Sequence, residues 1–249
     1  MLVHPTIERL HALGLSAMAD AFVELQNTRD AAELSREDWL GLLLDREVTH
    51  RENRKLTRRL RAARLRQAAV VEDVDFRAPR GLDRGLFQKL TTCHWIRDHQ
   101  HLAVVGPTGI GKSWIACALG HKACREGFSV LYKRTPRLFA DLAQARGEGR
   151  LPRLMAALER TRLLILDDWG PEPFNAEQRR DLLEIVDDRY DRGSLIITSQ
   201  LPLGRWHEVI GDPTLADAIL DRIIHAAHRI ELKGDSLRRR GAVKKPEPA

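Results

Sequence analysis

His101-Leu102-Ala103-Val104-Val105-Gly106-Pro107-Thr108-Gly109-Ile110-Gly111-Lys112-Ser113-Trp114 is the segment from which the rest of the chain can be read. Residues 102–105 are uniformly apolar, which suits a buried strand, and residues 114–123 have the composition of a helix. Between them, residues 106–113 fit the spacing GxxxxGK[ST], in the strand-then-helix context that this spacing requires. Its glycines let the backbone curl so that successive N–H groups converge on phosphate oxygens. A helix N-terminus then adds a dipole that favours anions. On this reading Gly106, Pro107, Thr108, Gly109, Ile110, Gly111, Lys112, Ser113 and Trp114 form a nucleotide-binding segment. Lys112 is expected to reach the β- and γ-phosphates, and the Ser113 hydroxyl to ligate Mg2+.

About fifty residues on, Leu163-Leu164-Ile165-Leu166-Asp167-Asp168 is an apolar run ending in two acids. Asp167 is the candidate second Mg2+ residue, and Asp168 stands where a base would polarise the attacking water. A glutamate is usual at that place in ATP-driven machines, and aspartate is shorter. A second acid suits water activation better than phosphoryl transfer to an acceptor, which disfavours a small-molecule kinase. A further apolar strand, residues 195–197, ends in Thr198-Ser199-Gln200, where polar side chains face the nucleotide crevice. Gln200 or Ser199 is the candidate sensor of the γ-phosphate or the lytic water. Arg222 reads in two ways: as an arginine finger completing a neighbouring subunit's site, or as half of a surface ion pair with Asp221.

Working outward, apolar runs at 102–105, 128–132, 163–166, 195–197 and 230–232 predict five buried parallel strands with amphipathic helices between them. The first seventy residues read as helical. Ile7, Leu10 and Leu13, then Met18, Phe22 and Leu25, recur close to helical spacing, and Ser35 with Asp38 resembles a capping box. The segment 71–84 is irregular, broken by Pro79 and Gly81. The expected organisation is a small helical domain over 1–70, a linker over 71–90, a three-layer α/β domain with a central parallel sheet over 91–240, and a Lys/Pro/Glu tail over 241–249.

The chain has 249 residues and a net charge of +6, and that charge is concentrated. From Arg51 to Arg66 there are eight basic residues against the single acid Glu52, a larger surplus than that of the whole chain. On a helix, Arg51, Arg54, Arg58 and Arg61 fall on one face, while Leu56, Leu60 and Ala63 fall on the other. A solvated face would explain such a run. Beside a nucleotide-binding domain it points to a polyanion partner, with Arg51, Arg54, Lys55, Arg58, Arg59 and Arg61 as candidate DNA-binding residues. No apolar stretch is long enough to span a bilayer, and the N-terminus lacks the apolar core of a signal peptide. Cys93, Cys117 and Cys124 are widely spaced, as expected of reduced thiols in a cytoplasmic protein.

These motifs resemble those of the IstB-like ATP-binding proteins, a branch of the AAA+ ATPases close to the DnaC helicase loaders. The likeness runs through almost the whole chain. It includes Asp167-Asp168-Trp169-Gly170, Ile197-Thr198-Ser199-Gln200-Leu201-Pro202, Gly211-Asp212-Pro213-Thr214, Ala218-Ile219-Leu220-Asp221-Arg222 and Gly234-Asp235-Ser236-Leu237-Arg238. The resemblance implies a P-loop AAA+ fold and a Mg2+-dependent ATPase encoded beside a transposase in an insertion sequence. It also implies an oligomer that assembles on duplex DNA with ATP, serves the transposase, and is released or remodelled by hydrolysis. By the same resemblance Arg222 becomes the arginine finger, and Arg238 a second arginine near nucleotide or DNA. The family commonly carries Glu at position 235 and an aromatic residue or Met at 237, so Asp235 and Leu237 depart from it. The competing function is a replicative helicase loader, whose helicase-docking helices have less need of a basic row.

Overall fold

A computed structural model describes residues 4–28, 33–225 and 227–237. Arg238 and the tail 241–249 lie outside the described residues. By contact the chain divides into two compact units, Met1–Arg58 and Arg59–Ala249.

The first unit is helical, with α1 (Pro5–Ala12), α2 (Ser16–Gln26) and most of α3 (Arg36–Ala63). Proline sits in the first turn of α1, where its missing N–H costs nothing, and the His4 ring accepts from the Thr6 N–H at 3.2 Å. Ser35 starts α3: its Oγ accepts from Asp38 N at 3.1 Å and donates to the Asp38 carboxylate at 2.7 Å. Ala17, Ala19, Ala21 and Leu43 are buried, and Phe22 meets Trp39 edge-to-face at 5.1 Å. Leu13, counted above in the apolar stripe, is instead exposed at the C-cap of α1. The face of α3 that buries Leu43 and Glu47 becomes, two turns on, the face of Arg54, Arg58 and Arg61.

In the second unit, a 3-10 turn at Val71–Asp73 leads to α4 (Arg84–Thr91) and α5 (His94–Arg97). There follow β1 (His101–Val105), α6 (Lys112–Arg125), β2 (Val130–Arg134), α7 (Thr135–Gly147), α8 (Leu151–Glu159), β3 (Leu163–Trp169), α9 (Ala176–Arg189) and β4 (Ser194–Ser199). A 3-10 turn at Leu203–Arg205, α10 (Trp206–Ile210), α11 (Pro213–Ile224) and β5 (Ala227–Glu231) complete it. The segment read as a linker therefore includes a helix, and contact groups it with the sheet.

All five strands run parallel in the order β2-β3-β4-β1-β5. Alternate residues face opposite sides, so both faces need cover. Ala103, Val105, Leu164, Leu166, Leu195 and Ile197 pack with Leu138, Leu142, Leu182, Ile185 and Ile219 from α7, α9 and α11. On the other side, α6 approaches closely enough that a Cβ at Gly120 would lie 2.7 Å from the Ile165 side chain. The fold is thus the three-layer P-loop AAA+ arrangement. Only the edge strands differ from their expected positions. In β2 burial alternates at Val130 and Tyr132, and in β5 only Ile230 is buried, so neither presents a continuous apolar run.

Two features explain family-specific segments. Gly211, at φ 74°, ends α10, Asp212 caps α11 by accepting from Leu215 N at 2.9 Å, and Pro213 fills its first turn. Trp169 is buried with ring centroids 5.1 Å from Phe174 and 5.2 Å from Trp206, anchoring the end of β3.

Candidate functional site

Strand order sets the location. β4 lies between β1 and β3, and connections leave β1 in one direction and reach β5 in the other. Crevices of this kind open at the carboxyl ends of the strands. A cavity of about 490 Å3 lies there, lined by Thr108, Gly109, Gly111, Lys112, Ser113 and Trp114 of the loop and by Asp168 and Gln200. Its size is within the range of small-molecule sites, about 300–1,000 Å3. Ile110 is buried and anchors the loop.

Lys112 is nearly buried, and its ammonium donates to the Gly106 and Pro107 carbonyls at 2.6 and 2.9 Å. Ser113 donates to Asp167 Oδ1 at 2.7 Å, bringing together the two residues assigned above to Mg2+. Thr198 donates to the same oxygen at 2.5 Å, and Tyr132 to Oδ2 at 2.5 Å. Burial and the hydrogen bond to Asp167 push the Tyr132 phenol above its usual pKa, so it stays a donor. Hydroxyl and carboxylate oxygens are a hard donor set that fits Mg2+.

Asp168 has φ 58°, a conformation costing a non-glycine residue about 1–2 kcal/mol. It sits at a register break between Leu166 and Trp169 in the β3–β4 pairing. The break turns both acids toward the site where strict alternation would separate them. Asp168 N donates to Thr198 Oγ1 at 3.2 Å, and Arg134, at the end of β2, donates Nε to Asp168 Oδ2 at 2.8 Å. A second cavity of about 290 Å3 shares Arg134, Asp168 and Gln200 with the first.

The structure separates the two sensor candidates. Gln200 lines the cavity and accepts from the Thr108 hydroxyl at 2.6 Å. Ser199 is fully buried and donates to the Trp169 carbonyl at 2.9 Å, bracing the strand end. Arg222 does not line this cavity in its own chain. Its ion pair is with Asp187 of α9, Nε to Oδ1 2.5 Å, and not with Asp221, because adjacent helix residues point about 100° apart.

Sequence reasoning missed Arg66, Gln67, Asp73, Asp75, Arg80, Arg134 and Leu237, all of which line the cavity. Arg80 is almost wholly buried, and burial lowers its pKa. It lies so close to the loop that a Cβ at Gly111 (φ 101°) would fall 2.6 Å from Nη1. Arg66 lay in the basic run and Leu237 in a family segment, but no local pattern assigns either to the nucleotide cavity, since chain closure alone brings residues 66–80 and 237 to the loop.

Of the six candidate DNA-binding residues, Arg54, Lys55, Arg58 and Arg61 are exposed and form no ion pair with a described residue. Arg51 pairs with Glu47 at 2.7 Å, and Arg59 donates to the Cys124 carbonyl at 3.1 Å. The three cysteines are free and buried. Among the described residues, no helix is long and apolar enough to cross a membrane.

Residues 8–245 match the family model for IstB-like ATP binding protein. An insertion sequence ATP-binding protein of Sinorhizobium fredii is 61% identical over 239 residues, 96% of this chain and 98% of that one. An ATP-binding protein in an insertion sequence of Mycobacterium tuberculosis is 33% identical over 93% of this chain and 92% of its own. Among solved structures, DnaI aligns with TM-score 0.57 at 20% identity, covering 66% of this chain and 91% of that one. The initiator DnaA bound to AMPPCP and single-stranded DNA aligns with TM-score 0.55 at 17% identity, covering 69% of this chain and 52% of that one. Fold, phosphate loop and sequence likeness over nearly the full length agree, and the chain belongs to the IstB-like ATP-binding proteins of insertion sequences.

Proposed function

We propose that this protein is an ATP-hydrolysing helper of a transposase, which assembles as an oligomer on duplex DNA with ATP and is released or remodelled by hydrolysis. The observation that carries the ATPase part is the Ser113–Asp167 contact of 2.7 Å beside Lys112 in the cavity. Ser113 and Asp167 would hold Mg2+, which supplies charge neutralisation at the β- and γ-phosphates when bound. Lys112 neutralises the same phosphates from the loop, and the loop N–H groups orient them. In this reading Asp168 takes a proton from the attacking water, and Gln200 holds that water or the γ-phosphate.

Arg134 restrains this chemistry. While it holds Asp168 Oδ2, that oxygen is engaged, which suits a slow ATPase triggered by its partner. In the proposed oligomer, Arg222 of one copy reaches the cavity shared by Arg134, Asp168 and Gln200 in the next, and gives up Asp187 to do so. Such head-to-tail contacts generate rings or helices. Each protomer adds the free cations of α3 to a track along DNA phosphates, which reads no base edges and is therefore largely sequence-independent.

Two measurements on one preparation test this reading: ATP hydrolysis with and without Mg2+, and fluorescence anisotropy of a random-sequence duplex with ATP. Mg2+-dependent turnover together with duplex binding supports it. Turnover without any duplex affinity would remove the DNA half of the proposal.

A further inference from the structure

The fold divides the basic run Arg51–Arg66. Helix α3 ends at Ala63, and Arg64 (φ 51°) turns the chain out of the helix. Residues 59–66 are then fastened to α6, the helix that begins with Lys112 and Ser113. Arg59 donates to the Cys124 carbonyl at 3.1 Å, and Leu65 packs at Gly120, where a Cβ would lie 3.1 Å from Leu65 Cδ2. One residue later, Arg66 joins the nucleotide cavity instead of the outer row. Its Nη1 is 3.8 Å from Asp167 Oδ2, the same oxygen to which the Tyr132 hydroxyl donates at 2.5 Å, so Arg66 and Tyr132 meet at one carboxylate edge. The contact with Tyr132, with Asp167 and Asp168 adding to it, raises the guanidinium pKa further.

Asp167 therefore has two distinct edges. Oδ1 takes Ser113 and Thr198, the side assigned to the metal, and Oδ2 takes Tyr132 and faces Arg66. We propose that Arg66 is a positioning residue acting through Tyr132 on Asp167, so that the end of α3 and the metal side of the nucleotide site respond to each other. The inference rests on the reading of α3 as the DNA-binding element. An ion pair at 3.8 Å is at the long end of its range, so a shift of about 1 Å in the last turn of α3 would make or break it. The coupling is reciprocal: a nucleotide that resets Asp167 must change DNA affinity by the factor by which DNA changes nucleotide affinity.

The test is anisotropy of a labelled random-sequence duplex, measured with the Mg2+ complex of a non-hydrolysable ATP analogue and again with Mg·ADP. Wild type is expected to bind tenfold or more tightly with the analogue. R66Q is expected to reduce that ratio below twofold while keeping the Mg·ADP affinity within about twofold of wild type. Y132F should reproduce R66Q, and R66K should restore part of the ratio. Thermal melting checks that each variant is folded, and Y132F carries the test if R66Q is not. An undiminished ratio in folded R66Q or Y132F overturns the inference. So does weakening of duplex binding by R66Q equally with both nucleotides, which would make Arg66 a simple DNA contact. If wild type binds duplex equally with either nucleotide, the proposed nucleotide control of DNA binding fails first and the inference falls with it, whereas an undiminished ratio in folded R66Q or Y132F defeats the inference alone. If wild type does not bind duplex, the reading of α3 fails first and the inference falls with it.

Discussion

Asp168 occupies a left-handed conformation that its side chain disfavours, and two contacts secure it: its N–H to Thr198 and its carboxylate to Arg134. Strain of this kind persists only where the surroundings impose it, and here it aims an acid at the cavity. Asp168→Asn should lower ATP turnover by roughly 10²-fold or more, the scale of a lost general base, with nucleotide affinity little changed. Turnover at the native rate would remove Asp168 from the mechanism. Arg134→Ala should raise basal turnover several-fold by freeing that carboxylate, and a fall would show that Arg134 assists the reaction instead of restraining it. A different residue contributes to acid sensitivity. His101 is buried at the start of β1, its Nδ1 accepts from Leu195 N at 3.2 Å, and burial depresses its pKa from 6.5 to about 4. Between those values the unfolded chain binds the proton and the folded chain does not. The stability that neutral His101 contributes is therefore full above pH 6.5 and declines by about 3 kcal/mol as pH falls to about 4. Urea titrations across that range should show the decline, and His101→Gln should flatten it.

Among the elements, α3 and the buried Arg189 make the sharpest contrast. Arg54, Lys55, Arg58 and Arg61 stand free in solvent, so exchanging Arg54, Arg58 and Arg61 for Glu should abolish duplex binding with little change in melting temperature. Normal binding by that triple variant in moderate salt would mean that DNA uses another surface. Arg189 at the end of α9 is wholly enclosed and donates to the carbonyls of Leu158, Thr161, Arg162 and Ser194. It joins the ends of α8 and α9 to the starts of β3 and β4. Arg189→Met would strand those acceptors at about 1–3 kcal/mol each where water cannot reach them, and chemical denaturation should register a loss of at least about 3 kcal/mol. The same contrast explains what the sequence could reveal. The phosphate loop, the acidic strand end and the inner strands are local patterns, each decided within ten residues or so. The Arg189 hub, the Arg134–Asp168 pair and the inward turn of Arg66 depend on partners 5 to 101 residues away, and in sequence they look like any other arginines. Edge strands β2 and β5 were blurred for the same reason, since half of each faces away from the core.

The whole chain combines two properties: a phosphate-loop cavity lined by Lys112, Ser113, Asp168 and Gln200, and a helix whose exposed cations suit a polyanion. Neither alone gives a transposition helper. Under the proposed function, nucleotide controls assembly on DNA, because many weak phosphate contacts become tight when protomers are linked. Binding should also weaken steeply with salt, with log affinity falling by about 0.9 per neutralised phosphate for each decade of salt. The most direct measurement is sedimentation of the purified protein with random duplex or single-stranded DNA, each with ATP or with ADP. Large complexes are expected with duplex and ATP, and none in the other three mixtures. A preference for single strands, or complexes indifferent to the nucleotide, would contradict it and favour a helicase loader or a simpler DNA-binding ATPase.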